Sequence, residues 1–269
     1  MRKTILATAI SIYALLGWSQ NSLSYFQSGL TKFNKQDYKS AIEDYNKSIL
    51  IDSNDANVFF NRGLCKKELS DYQGALEDYT KAIEIDPTDP SFFNNRGTIH
   101  SLMKNYEKAI VDFSKSIRMQ PNNPRAYSNR GGAKQKMKDY QGALTDLDKS
   151  IELNPIDANA FNNRGNIYSY FKNHSKAIDD FNEAIRIDPE FVVAYYNRAI
   201  AFNAIRYFDD AIKNYNKAIE LNSEYATAYY NRGLVKINAN DGKEGCLDLS
   251  KAGELGFEGA YTAIRKYCK

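Results

Sequence analysis

The stretch Phe59-Phe60-Asn61-Arg62-Gly63 decides how this chain is read, because its last three residues return five times at one interval. Asn95-Arg96-Gly97, Asn129-Arg130-Gly131, Asn163-Arg164-Gly165, Asn197-Arg198-Ala199 and Asn231-Arg232-Gly233 follow, each 34 residues after the last. Gln27-Ser28-Gly29 is a degenerate copy one step upstream, so the period spans nearly all of the 269 residues. A fixed period of this size belongs to stacked units that each bury an apolar face against their neighbours. Length then counts units, not domains.

With position 1 of each unit at Ser22, Ala56, Pro90, Pro124, Ala158, Val192 and Ala226, the units are 22–55, 56–89, 90–123, 124–157, 158–191, 192–225 and 226–259. A tail, 260–269, remains. In the fifth unit Ala160, Phe161, Arg164, Gly165, Ile167, Tyr168 and Phe171 form one helical stripe, and Ala177, Ile178, Phe181, Ala184 and Ile185 a second. Lys172-Asn173-His174-Ser175 is the polar turn between them, and Asp188-Pro189 ends the second helix. Position 8 is Gly in six units and Ala199 in the sixth; position 20 is Ala in six and Gly245 in the last. A helix-interior glycine costs about 1 kcal/mol relative to alanine, so its retention predicts close approach of the two helices. Position 24 supplies the filler: Tyr45, Tyr79, Phe113, Leu147, Phe181, Tyr215 and Leu249.

These positions, with Ala or Ser at 27 and Pro87, Pro121, Pro155 and Pro189 at 32, resemble the tetratricopeptide repeat family over residues 22–259. The resemblance implies an all-α fold, a right-handed superhelical solenoid of about seven 34-residue helix-turn-helix repeats, the first helix of each lining a concave groove. Ser53, Ser223 and Phe257 depart from the proline. Gly245 and Gly253 mark the seventh unit as a terminal cap of looser geometry, continued by a C-terminal capping helix over 260–269.

Formal charge is +3, with Lys and Arg interleaved among Asp and Glu, so no basic field exists to hold nucleic acid. Arg2 and Lys3 precede an apolar run, Ile5 to Leu16, and then Gly17-Trp18-Ser19, small residues suited to a cleavage site. This reads as a signal peptide over 1–19, shorter than a spanning helix, and it predicts an exported, periplasmic or secreted protein with no transmembrane segment after cleavage. Only His100 and His174 occur, in different units, so no metal site is expected; no phosphate-cradling loop, catalytic constellation or cofactor site is read, and the chain is expected not to be an enzyme. Cys65 and Cys246 fall on core positions. Cys268 lies on the tail beside the last helix, which allows a Cys246–Cys268 disulfide, two free thiols being the alternative.

Arg at position 7 requires a carboxylate, and position 23 offers Asp44, Asp78, Asp112, Asp146, Asp180 and Asp248, with Asn214 the exception. Pairing within a unit (Arg62 with Asp78) and between units (Arg62 with Asp44) satisfies the register equally. The asparagines carry the functional reading. Asn61, Asn95, Asn129, Asn163, Asn197 and Asn231 lie off the apolar stripe, and a carboxamide can pair with the backbone of an extended peptide whatever its side chains. The arrangement is similar to the asparagine ladder of O-GlcNAc transferase repeats. The competing reading has these residues bridge neighbouring first helices. Phe26, Phe60, Arg125, Tyr196 and Tyr230 are expected to line the groove, and Phe26 and Phe60 stand where chaperone-tail binders need Lys. The expected partner is a protein or peptide, with oligomeric state open. The alternative is a structural or assembly subunit of a cell-envelope complex that uses its terminal repeats and convex face; stacking of sugars on Tyr196 and Tyr230 is a weaker option.

Overall fold

Most helices begin where an Asp or Asn side chain can accept from their first-turn amides. The computed structural model describes residues 21–268, and the export segment read at 1–19 lies outside the described residues. Helix α1 covers 21–34. It is followed by α2 (Tyr38–Ile51), α3 (Ala56–Glu68), α4 (Tyr72–Ile85), α5 (Pro90–Leu102), α6 (Tyr106–Met119) and α7 (Pro124–Lys136). The rest are α8 (Tyr140–Leu153), α9 (Ala158–Tyr170), α10 (His174–Ile187), α11 (Val192–Ala204), α12 (Phe208–Leu221), α13 (Ala226–Asn238), α14 (Gly242–Glu254) and α15 (Gly259–Tyr267). Among the described residues there is no strand. Asp55, Asp89, Asn123 and Asp157 cap first helices, and Asp37, Asp71, Asp139 and Asn173 cap second helices. Phe191, Tyr207 and Tyr225 stand at the corresponding places in the sixth and seventh repeats and make no side-chain cap.

The hairpin turn is equally regular. Position 15 adopts the left-handed conformation in every repeat, at Gln36, Ser70, Lys104, Lys138, Lys172, Arg206 and Asn240, with φ between 60° and 65°. The next amide then returns to the helix, as Asp71 N–H does to the Lys66 carbonyl at 2.8 Å. One such residue reverses the chain, so the two helices of a repeat that lies within one compact unit run antiparallel.

The chain divides into two compact units, before and after the boundary between Met137 and Lys138. In the first, Tyr45, Tyr79 and Phe113 are fully buried fillers between paired helices; in the second, Phe181, Tyr215 and Leu249 are, and Leu147 is buried on α8 in a cluster with Ala160 and Ile167 of α9. Glycine at position 8 makes room for that filler. A Cβ on Gly63 would meet the Tyr79 ring at 2.7 Å, and one on Gly165 the Phe181 ring at 2.7 Å. The opposing backbone is also near in the third repeat, where a Cβ on Gly97 would meet the Ala109 carbonyl at 3.2 Å, and it comes nearer in the seventh, where a Cβ on Gly233 would meet the Gly245 carbonyl at 2.8 Å and one on Gly245 would meet the Gly233 carbonyl at 2.6 Å. The expectation of a looser terminal repeat is therefore corrected: with Leu249 in place of an aromatic ring and no Cβ at position 20, α13 and α14 pack more closely. Helix α15 covers α14 through buried Ala260 and Ala263, and a disulfide joins Cys246 to Cys268. Cys65 is a buried free thiol whose pKa burial pushes up to about 12, so it behaves as a small core residue.

Candidate functional site

The Asn-Arg-Gly triplet resolves into three different jobs once the helices are in place. Arg62 lies between α3 and α4 and donates to Asp78 from Nε at 2.9 Å and Nη2 at 2.6 Å, while Nη1 reaches back to Asn46 of the preceding repeat at 2.7 Å. The same fork recurs at Arg96 with Asp112, Arg164 with Asp180 and Arg232 with Asp248. The carboxylate pairing is thus within repeats, and the tie between repeats is made by Nη1 to position 25, at Thr80, Ser114, Asp148, Asn182 and Asn216. Each guanidinium also lies over the aromatic ring at position 4, from Phe59 at 5.3 Å to Phe93 at 5.8 Å. Fork geometry, ring stacking and the cross-repeat bond together explain why Arg and not Lys occupies position 7.

Sequence reasoning missed a third member of this network. Position 11 holds a base beside the carboxylate: Lys32 Nζ is 2.6 Å from Asp44, Lys66 2.9 Å from Asp78 and Lys236 2.9 Å from Asp248. In the first repeat, where position 7 is Ser28, its hydroxyl donates to Asp44 at 2.6 Å. In the third repeat the base is His100, 3.9 Å from Asp112. Burial pushes the proton affinity of His100 below the usual imidazole range, and Asp112 offsets only part of that. The unfolded chain takes up a proton near pH 6.5 and the folded one only at lower pH, so this site costs stability as pH falls below about 6.5. His100→Gln is expected to flatten the fall in melting temperature between about pH 7 and 5; an unchanged slope would place the pH response elsewhere.

The six asparagines are half-buried on the first helices. Asn61 Nδ2 donates to the Asn57 carbonyl at 2.8 Å and Asn95 Nδ2 to the Ser91 carbonyl at 2.9 Å, each on its own helix. Asn129 Nδ2 reaches Asn94 Oδ1 at 3.3 Å, Asn197 Nδ2 reaches Asn162 Oδ1 at 2.9 Å, and Asn231 Nδ2 reaches the Tyr196 hydroxyl at 2.8 Å. For these five, position 5 of the preceding repeat decides which occurs: Phe26 and Phe60 offer no acceptor, whereas Asn94, Asn162 and Tyr196 do. Bridging of first helices, the competing reading, is therefore present at three of the six. Among the described residues Asn163 makes no side-chain hydrogen bond, and none of the six Oδ1 atoms accepts one.

The other residues expected in the groove are less free. Phe26 packs on Tyr45 at 6.0 Å between ring centroids, Phe60 on Tyr79 and Phe92 at 5.6 and 4.9 Å, Tyr196 on Tyr225 at 4.9 Å and Tyr230 on Phe257 at 4.5 Å. Each spends part of its ring on contacts between helices. Arg125 is exposed.

Comparison with known proteins decides the family. Models of the tetratricopeptide repeat match residues 56–89, 90–123 and 158–191, and a second such model matches 22–55 and 124–157; a TPR repeat model matches 208–237. The chain belongs to the tetratricopeptide repeat family. No curated protein matches it. Among solved structures it is similar to a tetratricopeptide repeat protein from Parabacteroides merdae, 20% identical over 93% of this chain and 100% of that one, TM-score 0.73. It is similar to MamA, 27% identical over 61% of this chain and 96% of that one, TM-score 0.53. It also resembles YrrB, described as a TPR protein with an unusual peptide-binding site, 23% identical over 68% of this chain and 95% of that one, TM-score 0.53. The fold is thus that of a tetratricopeptide solenoid, a protein-interaction scaffold, and tetratricopeptide proteins are in general non-catalytic interaction modules. No helix among the described residues is long and apolar enough to cross a membrane.

Proposed function

We propose that the first-helix face of each compact unit binds an extended segment of a partner protein by its backbone, through Asn61, Asn95 and Asn129 in one unit and Asn163, Asn197 and Asn231 in the other. The observation that carries this reading is the unused acceptor on every rung. The Nδ2 bonds leave Oδ1 free to take a backbone N–H, and one amide proton free to give to a carbonyl. Rungs that repeat along a strand of peptide recognise length and extension more than side chains. The half-buried rings of Phe60 and Tyr196 beside the rungs supply apolar contact. Peptide binding by YrrB is consistent with this use of the fold.

Selection from a library of short unstructured peptides tests it. Selected peptides are expected to keep affinity when their side chains are shuffled and to lose it when alternate backbone amides are N-methylated; the reverse pattern, sensitivity to sequence and indifference to N-methylation, would sink backbone recognition. We further propose that the protein works outside the cytoplasm. The charged and apolar pattern of residues 1–19 and the pairing of Cys246 with Cys268 support this.

A further inference from the structure

The sixth repeat breaks the Arg-Asp network in a way that leaves a vacancy of definite chemistry. Position 23 is Asn214, and position 11, where the companion base stands in the first, second and seventh repeats, is Phe202. Arg198 keeps its place: Nε donates to Asn214 Oδ1 at 2.8 Å, Nη1 to Asn182 Oδ1 at 2.6 Å, and the guanidinium lies 5.5 Å from the Tyr195 ring. Its Nη2, which in four other repeats donates to an Asp oxygen at 2.6–2.8 Å, has no acceptor among the described residues. Asn214 cannot turn a second oxygen toward it, and its Nδ2 is held by the Asp210 carbonyl at 2.8 Å. The guanidinium therefore has two neutral acceptors and no bonded carboxylate.

Arg198 opens on a pocket of about 340 Å³ lined by Tyr195, Phe202, Asp210, Lys213, Asn214 and Lys217. Lys213 is exposed and only 3.8 Å from Asp210, a long ion pair; Lys217 is paired with the exposed Glu220 at 2.6 Å. Both ammonium groups can swing inward at small cost, because exposed pairs of this kind are worth little. Burial holds the Arg198 guanidinium below its usual proton affinity, with Tyr195 and Asp210 offsetting only part of this, whereas the hydrogen bonds that Arg96 and Arg164 donate to Asp112 and Asp180 raise theirs. The sixth repeat is thus short of the negative charge that its relatives carry.

We propose that this pocket binds an oxyanion, a carboxylate or a phosphate, which takes the position of the missing Asp oxygen on Arg198 Nη2 and draws charge from Lys213 and Lys217. The pocket is too open and too small a part of the surface to be read as the peptide face, which lies on the Asn rungs; it is a separate site. A guanidinium fork with an unfilled donor suits either anion.

Thermal unfolding of the full chain in phosphate, acetate and chloride at matched ionic strength tests this directly. Phosphate or acetate is expected to raise the melting temperature of the wild type in a saturable manner that chloride does not reproduce. Asn214→Asp, which restores the residue that six other repeats carry, is expected to melt higher without added anion and to lose the specific response. Lys213→Gln combined with Lys217→Gln, both at the pocket rim, is expected to leave the anion-free melting unchanged and weaken the response several-fold. A wild type that responds only to ionic strength, an Asn214→Asp variant that responds as strongly as wild type, or a double Lys variant with undiminished response would each overturn the assignment.

Discussion

Asp78→Ala will lower the free energy of unfolding by about 3–5 kcal/mol, because it removes one acceptor from a buried, hydrogen-bonded ion pair and leaves two cations facing each other. The Asp78 side chain is 4% exposed and takes Arg62 at 2.6 Å and Lys66 at 2.9 Å; the Arg62 side chain is 17% exposed. Neither cation has a second carboxylate at hand, and Nη1 of Arg62 is already committed to Asn46. Asp78→Asn keeps one carboxamide oxygen for Nε, as in the sixth repeat, although Lys66 stands where that repeat has Phe202, and is expected to cost less, about 1–3 kcal/mol. Lys81→Ala supplies the control, since its partner Glu84 is 60% exposed and such pairs contribute about 0–1 kcal/mol. Urea denaturation followed by circular dichroism measures all three. A loss below about 1 kcal/mol for Asp78→Ala would mean that water fills the site and the network is decoration. The loss should fall on the first compact unit, because repeat arrays transmit stability mainly to nearest neighbours.

Reduction of the Cys246–Cys268 bond will release the C-terminal end of the protein. The bond spans 22 residues, and cross-linking a loop of that size restricts the unfolded chain by about 3 kcal/mol. Helix α15 has nine residues, too few to persist without packing, and only Ala260 and Ala263 are buried on it. Its attachment rests on these, the disulfide and the neighbouring Tyr230–Phe257 contact. Hydrogen exchange in α15 and α14 is therefore expected to accelerate on reduction or in Cys246→Ser/Cys268→Ser, while α2 to α6 keep their protection. Equal protection in oxidised and reduced protein would show that packing alone holds the cap. Cys65, buried with its thiol pKa pushed up, serves as an internal probe, since it should resist alkylation until the first unit opens.

The period, the helix pairs and the filler at position 24 were legible because each rests on one residue type kept at one spacing. Choosing between the two Arg-Asp schemes was not possible from spacing: a 34-residue register satisfies both, and only the antiparallel packing of a hairpin puts positions 7 and 23 face to face. Lys32, Lys66 and Lys236 read as ordinary surface charge, yet a signal was present, for the repeat that loses its Asp at Asn214 also has Phe202 where those lysines stand. The direction of five of the six Asn amides was readable too, from whether position 5 of the preceding repeat is Phe26 or Phe60, with no acceptor, or Asn94, Asn162 or Tyr196; Asn163, which has Ser128 at that place, does not obey this rule. Gly at position 8 signalled close approach correctly, but at Gly63 and Gly165 what approaches first is the ring of Tyr79 or Phe181, and at Gly233 it is the Gly245 carbonyl, a distinction that depends on the thickness of the filler.

The division of labour inside Asn-Arg-Gly is tested most directly on the three rungs that tie no repeats together. Among the described residues Asn61 and Asn95 bond only to their own helices and Asn163 makes no side-chain hydrogen bond, so Asn61→Ala/Asn95→Ala/Asn163→Ala removes free acceptors without cutting a bond between repeats. Alanine is the better helix former, which offsets the two local bonds. Unfolding free energy and affinity for a selected extended peptide should be measured on the same preparation. The expected result is stability within about 0.5 kcal/mol of wild type and at least a tenfold loss of affinity, about 1.4 kcal/mol. A fall in stability of about 2 kcal/mol or more, or full affinity in the variant, would return the asparagines to the scaffold.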